Sequence, residues 1–250
     1  MIPKIIHYCW FGRNPLPKSA VKCIDSWKKF FPEYEIKEWN EDNFDVNMIP
    51  YTAEAYKARK YAFVSDYARF WILYHYGGVY FDTDVEVIRP MEDILAKGAF
   101  MGCEKDSYGS NYPTVAPGLG MAVEPLHPLI KNMLTIYQAS SFEKDKKDGS
   151  NQEHNFYKTV VDYTTELLMQ RGLQSKKDIQ SVAGFLIYPK EYFNPLSHIN
   201  QLDVTENTRS IHHYAATWVP KRYQLLRKLV LFLGPDIYHL YLKLRGRIKI

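Results

Sequence analysis

Residues Gly77–Val87 read "GGVYFDTDVEV": a glycine pair, an apolar run that could be buried, and two carboxylates where a strand is expected to continue. Side chains on a strand alternate faces, so this reading projects Asp82 and Asp84 to one side and turns Thr83 away. A charge carried into a domain interior costs several kcal/mol or more unless it is compensated. A divalent cation with oxygen ligands, or a neighbouring arginine, holds two close carboxylates ionised. The three-residue pattern alone also describes solvated acids at a strand end.

Immediately upstream, "YAFVSDYARFWILYHYGG" (residues 61–78) has helical spacing and sets Asp66 and Arg69 three apart on one face among apolar and aromatic neighbours. A helix is predicted over Thr52–Tyr76, with Thr52 as N-cap and Gly77-Gly78 as its stop. Further back, "PKIIHYCWFG" predicts a strand from Ile5 to Trp10, Ser19–Phe31 a helix, and "YEIKEW" (residues 34–39) a second strand. Strand, helix and strand at this spacing imply an α/β domain with a parallel sheet. Ligands in such sheets sit beyond the carboxyl ends of the strands, where Asp82 and Asp84 are expected. His7, alone in an apolar strand, reads as a core residue. Residues 140–155, "SSFEKDKKDGSNQEHN", read as an exposed or mobile loop.

The chain's 250 residues suit one domain with or without an appendage. Hydrophobic residues at 46% and charged residues at 24% are ordinary for a globular protein, but 20 Tyr, 13 Phe and 5 Trp make it aromatic-rich, and sugars and bases stack on such rings. Cys9, Cys23 and Cys103 are odd in number and lack metal-ligand spacing, which implies a reduced compartment without a disulfide framework. No signal-peptide pattern opens the sequence and no 18 apolar residues run uninterrupted, so neither export nor a membrane span is expected. The net charge of +4 is unevenly spread. Residues 219–250 hold eight basic residues against Asp236, leaving residues 1–218 net acidic. An acidic main region without a recognition motif argues against nucleic-acid binding.

The stretch "SDYARFWILYHYGGVYFDTDVEV" resembles the S-D-x-x-R, G-G-x-Y-x-D-x-D signature of the glycosyltransferase family 32 enzymes, which include capsular-polysaccharide transferases and yeast-type mannosyltransferases. The flanks "IPKIIHYCWFG" and "IHHYAATW" are similar to that family's opening strand and closing motif, so the resemblance spans roughly residues 1–218. It implies a GT-A (Rossmann-like, nucleotide-sugar-binding) α/β fold, a nucleotide-sugar donor, a divalent metal and retention of anomeric configuration. It implies Asp84 as a metal ligand. Asp82 would contact the ribose or donor sugar and help hold the metal, while Asp66 and Arg69 would bond donor hydroxyls or balance charge. These four form the implied catalytic set, and Ser65 and Tyr80 join the donor-binding residues. By similarity to the large clostridial toxin glucosyltransferases, Trp10 would stack on the base and Trp218 would reach the diphosphate. The serine that often precedes that tryptophan is replaced here by Thr217.

Imidazole is a suitable ligand for Mn²⁺ beside carboxylate, and either His212 or His213 would complete the set, since alternation lets only one face the metal. The family motif favours His212, with His213 the alternative. The cofactor expected is Mn²⁺ or Mg²⁺. The donor expected is a UDP-sugar by analogy with the toxins, with GDP-mannose open, and the acceptor a saccharide or lipid-linked saccharide in capsule or cell-surface polysaccharide synthesis. A haloacid-dehalogenase-type phosphotransferase, also suggested by D-x-D-V, would phosphorylate Asp82 but needs a later acidic metal pair that the sequence lacks. A non-catalytic sugar-binding protein is the other alternative. Residues 219–250 form two predicted basic amphipathic helices, a helical C-terminal appendage to a catalytic domain over 1–218. Such helices suit an anionic membrane surface or a second subunit, which makes the expected location cytoplasmic, peripheral on the inner face of the cell membrane.

Overall fold

The computed structural model describes residues 1–109, 111–143, 157–196 and 202–215. Most of the 140–155 loop, Trp218 and the 219–250 appendage lie outside them. Strand β1 (Ile5–Cys9) leads through α1 (Lys18–Phe30) to β2 (Glu35–Trp39), then α2 (Pro50–Lys57) and α3 (Tyr61–Tyr76) lead to β3 (Gly78–Tyr80). There follow β4 (Val85–Val87), α4 (Glu92–Leu95), β5 (Phe100–Lys105), β6 (Thr114–Val115), a 3-10 turn (Pro117–Leu119) and β7 (Met121–Val123). The remaining described elements are α5 (Pro128–Ala139), α6 (Val160–Gln170), β8 (Gln180–Val182), β9 (Phe185–Tyr188), α7 (Lys190–Phe193) and β10 (Ser210–His212).

The main sheet has the order β2-β1-β3-β7-β5-β9-β8, with β6 beside β5. Strand β1 pairs in parallel with both β2 and β3, and β5 with β9, while β7 runs antiparallel between β3 and β5. Strands β1, β2, β3, β5 and β9 therefore share one direction, and their carboxyl ends line one edge. The α/β expectation is met.

Period-two alternation sorts side chains into two apolar layers. Ile6, Val79, Phe81 and Phe100 pack with Cys23, Ile24 and Trp27 of α1, whereas Cys9, Tyr80 and Met101 pack with α3 and α5 on the other face. The chain leaves β1 on one face toward β2 and reaches β3 from the other. The carboxyl ends of β1 and β3 thus flank a topological switch point, the crevice where open α/β sheets take ligands.

Three local expectations are corrected. The predicted Thr52–Tyr76 helix is two helices: Arg59 adopts φ 57°, its N–H donates to Tyr56 O at 2.9 Å, and Lys60 N–H donates to Ala55 O at 2.9 Å. This is a Schellman stop built on arginine instead of glycine. The first helix starts at Pro50, whose fixed φ suits a first helical position, so Thr52 lies inside the first turn with its hydroxyl on Ile49 O, not at the cap. Asp82 and Asp84 are not on a strand. Strand β3 ends at Tyr80 and the chain turns, with Val85 N–H on Asp82 O at 3.1 Å, before β4 leaves the main sheet to pair with β10.

The glycine stop of α3 and the core reading of His7 hold. Gly77 ends α3 at φ 62°, with its N–H on Leu73 O. His7 is wholly buried: Nδ1 accepts from Trp39 Nε1 at 3.1 Å and Nε2 stands 3.0 Å from Gly77 O, an arrangement for one neutral tautomer. Burial lowers its pKa to about 4. Cys9, Cys23 and Cys103 are buried and unpaired. Among the described residues no helix is long and apolar enough to cross a membrane.

Candidate active site

Helix α3 is apolar around most of its circumference and packs between the sheet and α5, so Asp66 and Arg69 are carried into the interior. Both are buried, as their apolar and aromatic neighbours suggested: Asp66 is 8% and Arg69 3% exposed. The Arg69 guanidinium lies 2.7 Å from Asp66 Oδ1 and 3.3 Å from Asp82 Oδ1, and its Nε donates to Ser65 O. It also stacks over the Tyr80 ring, 4.9 Å from the centroid, and the Tyr80 hydroxyl donates to Asp82 Oδ1 at 3.1 Å. One cation thus joins the helix to the turn after β3. Removing a single partner from such a buried pair costs about 3–5 kcal/mol, because the other charge is stranded.

The pKa shifts follow from that burial. Burial alone would lower the Arg69 pKa, but Asp82, Tyr80 and Asp66 raise it, so the guanidinium stays charged. Burial pushes the Asp66 carboxyl up to about 7 against the pull of Arg69. Tyr80, at 1% exposed, is raised well above its usual value by burial.

The second half of the site is the β4–β10 ladder, which sets His212 opposite Val85. Helix α1 anchors this ladder: Trp27 Nε1 donates to Val85 O at 2.8 Å, and Ser26 Oγ accepts from Val87 N–H at 2.9 Å. His212 Nε2 stands 3.0 Å from Asp84 Oδ1, Ala215 N–H donates to Asp84 Oδ2 at 2.8 Å, and His213 N–H donates to Asp84 O at 2.9 Å. Burial would raise Asp84 and lower His212. The bond and charge between them outweigh it, so Asp84 is lowered and His212 raised. The His213 ring turns away to Glu86, with Nε2 2.8 Å from Oε2.

One ligand atom each from Asp82, Asp84 and His212 lies within 4.8 Å of the other two. Two carboxylates and an imidazole are a donor set for Mn²⁺ or Mg²⁺, so the residues present fit the expected ion. Convergence comes from the β3–β4 turn and the return of β10.

Trp10 follows β1 at the same sheet edge, half-buried, with Nε1 donating to Asn14 O at 2.6 Å. Ser65 is half-buried and spends its hydroxyl on Tyr61 O. Trp218 is outside the described residues.

Sequence reasoning missed Gly118. Asp82 N–H donates to Gly118 O at 3.0 Å, and a Cβ at position 118 would lie 1.9 Å from Asp82 Oδ2 and 3.0 Å from Arg69 Nη1. "PGLG" (residues 117–120) announces a turn, but nothing local announces its neighbour. Also missed were Asn194 and Glu104, which surround Tyr214 beside His212; Tyr214 itself lay unremarked inside the closing motif. A surface groove between α3 and α5, lined by Trp71, Tyr74 and Lys131 among others, contains none of these residues.

Residues 17–101 match the model of a glycosyltransferase sugar-binding region containing a DXD motif. An uncharacterised glycosyltransferase of Acanthamoeba polyphaga mimivirus is 33% identical over 201 residues, covering 78% of this chain and 76% of its own. Inositol phosphoceramide mannosyltransferase 1 of Schizosaccharomyces pombe is 27% identical over 143 residues, 52% of this chain and 43% of its own, so this chain spans less than half of that relative's length. Among solved structures, the PaToxG glycosyltransferase aligns over 68% of this chain and 69% of its own, with a TM-score of 0.48 and 20% identity.

Proposed function

The chain belongs to the family of glycosyltransferases whose sugar-binding region contains a DXD motif, and from that premise we propose that it transfers a hexose from a nucleotide-sugar donor to a saccharide acceptor, with Mn²⁺ or Mg²⁺ as cofactor. The observation that carries this reading is the convergence of Asp82, Asp84 and His212 at the switch-point edge of the sheet. The α/β sheet agrees with the GT-A architecture that the sequence resemblance implies.

Asp84, His212 and Asp82 would hold the ion. When bound, the ion supplies positive charge against the diphosphate leaving group. Arg69, fixed between two carboxylates, holds Asp82 aimed; its burial and that of Asp66 favour charge balance over donor contact. Tyr80 is buried too, so its part is to brace Asp82. Trp10 would offer an indole face to the base, Ser65 would contact the donor, and Trp218 would reach the diphosphate. The donor we favour is a UDP-sugar, and transfer proceeds with retention. GDP-mannose is the second reading, because several relatives are named mannosyltransferases. The acceptor we favour is a lipid-linked saccharide of capsule or cell-surface synthesis, with residues 219–250 resting on the anionic inner face of the cell membrane or on a second subunit.

A panel of UDP- and GDP-sugars, each with Mn²⁺ and with excess EDTA, tests this by donor hydrolysis and thermal stabilisation. One donor should be turned over and should stabilise the fold only with metal. Hydrolysis undiminished by EDTA refutes the metal site, and no turnover of any donor favours a non-catalytic sugar-binding protein. The anomeric configuration of the product, read by NMR, tests retention.

A further inference from the structure

A metal-binding imidazole is ordinarily oriented by a hydrogen bond at its second ring nitrogen. His212 departs from this: Nε2 faces Asp84, but Nδ1 is buried without a hydrogen-bond partner among the described residues. The ring must be held by other means. Tyr214 packs edge-on against it, with ring centroids 4.2 Å apart and planes at 75°.

Tyr214 is itself fixed from three directions. Its hydroxyl accepts from Asn194 Nδ2 at 2.6 Å and bonds the Glu104 carboxylate, which leaves the hydroxyl proton for that carboxylate. The same Asn194 amide donates to Glu104 O at 3.0 Å, and Asn194 is 2% exposed. The anchor thus joins the end of β5 to the end of α7. The Tyr214 backbone sits at φ 48°, a left-handed conformation uncommon for an aromatic residue, and it is locked because its neighbours His213 and Ala215 both donate backbone N–H groups to Asp84. Residues 212–215 therefore wrap Asp84.

We infer that Tyr214 is a positioning residue: anchored through its hydroxyl by Asn194 and Glu104, it sets by edge-on packing the rotation of the His212 ring that a hydrogen bond at Nδ1 would otherwise set. It need not touch metal, donor or acceptor. The inference rests on the metal-site reading above, and it makes Tyr214→Phe, which keeps the ring and removes the anchor, the informative change.

The test is Mn²⁺ affinity without donor, measured by electron paramagnetic resonance into the millimolar range for wild type, Tyr214→Phe, His212→Ala and the double variant. Far-UV circular dichroism and thermal unfolding are recorded alongside. Y214F is expected to stay folded and to bind Mn²⁺ about 10-fold more weakly, within the range for residues that orient metal ligands. In the His212→Ala background the same change should have no further effect, since the ring it orients is gone. Unchanged affinity in Y214F, an equal loss with and without His212, or loss of the folded spectrum each overturns the inference. The transferase reading fails separately, if wild type binds Mn²⁺ yet turns over no nucleotide sugar.

Discussion

Asp82 and Gly118 meet at a distance that admits no side chain: the Asp82 amide donates to the Gly118 carbonyl at 3.0 Å, while a Cβ on residue 118 would stand 1.9 Å from Asp82 Oδ2. The requirement is one of space, at the carboxylate that also receives Arg69 and Tyr80. Gly118→Ala is expected to displace Asp82, costing about 1–3 kcal/mol of stability from overpacking and weakening Mn²⁺ binding. Chemical denaturation and Mn²⁺ titration check it, and wild-type values in both would show that Asp82 has room to move.

Asp84 holds three partners at once: the His212 ring, the Ala215 amide and, through its carbonyl, the His213 amide. Asp84→Asn removes charge at nearly constant shape. Transfer is expected to drop by at least about 100-fold, the scale of a lost electrostatic contact at a reacting centre, with metal-dependent donor binding lost and the fold kept. Turnover near wild type in this variant would remove Asp84 from the metal site.

His7 predicts an acid-side loss of stability. Its folded pKa, lowered by burial to about 4, lies below the ordinary 6.5. Above 6.5 the group is neutral in both states; between 6.5 and about 4 the unfolded chain takes the proton first, so stability falls with pH; below about 4 the loss is complete. A shift of this size corresponds to about 3 kcal/mol at most. His7→Asn should be less stable at neutral pH yet flatter across that window in denaturant titrations at stepped pH, and an unchanged slope refutes the assignment.

Trp10 leaves the end of β1 at the switch point, half-buried and with its Nε1 committed to Asn14. If its face receives the base, Trp10→Ala weakens nucleotide binding by roughly 1–3 kcal/mol. Calorimetry with UDP and with GDP measures this, and unchanged affinity for both returns Trp10 to a packing role.

For residues 219–250 the expectation rests on sequence alone. The protein should co-sediment with anionic but not neutral vesicles, salt should reverse this, and deletion of 220–250 should abolish it while donor hydrolysis persists. Equal vesicle binding with and without the segment ends the membrane reading, and loss of the folded domain on truncation favours docking on the protein.

Local chemistry made much of this protein legible in its sequence. A spacing of three put Asp66 and Arg69 on one helical face, period-two runs marked β1 and β2, and Gly77 stopped α3, because each depends only on residues within a turn or two. The same local logic misplaced Asp82 and Asp84 on a strand and ran α2 into α3, since a left-handed arginine can end a helix without the usual glycine signal. The motif's resemblance favoured His212 over His213, and tertiary structure turned that ring to Asp84 and the other to Glu86; tertiary structure also buried the Asp66–Arg69 pair and alone pressed Gly118 against Asp82. Such outcomes depend on segments distant in the chain, as the 131 positions between Asp84 and its partner Ala215 illustrate. They exist only once β10 has returned to β4 and the 3-10 turn has closed over β3, and no periodicity in a linear sequence encodes which distant backbone will arrive there.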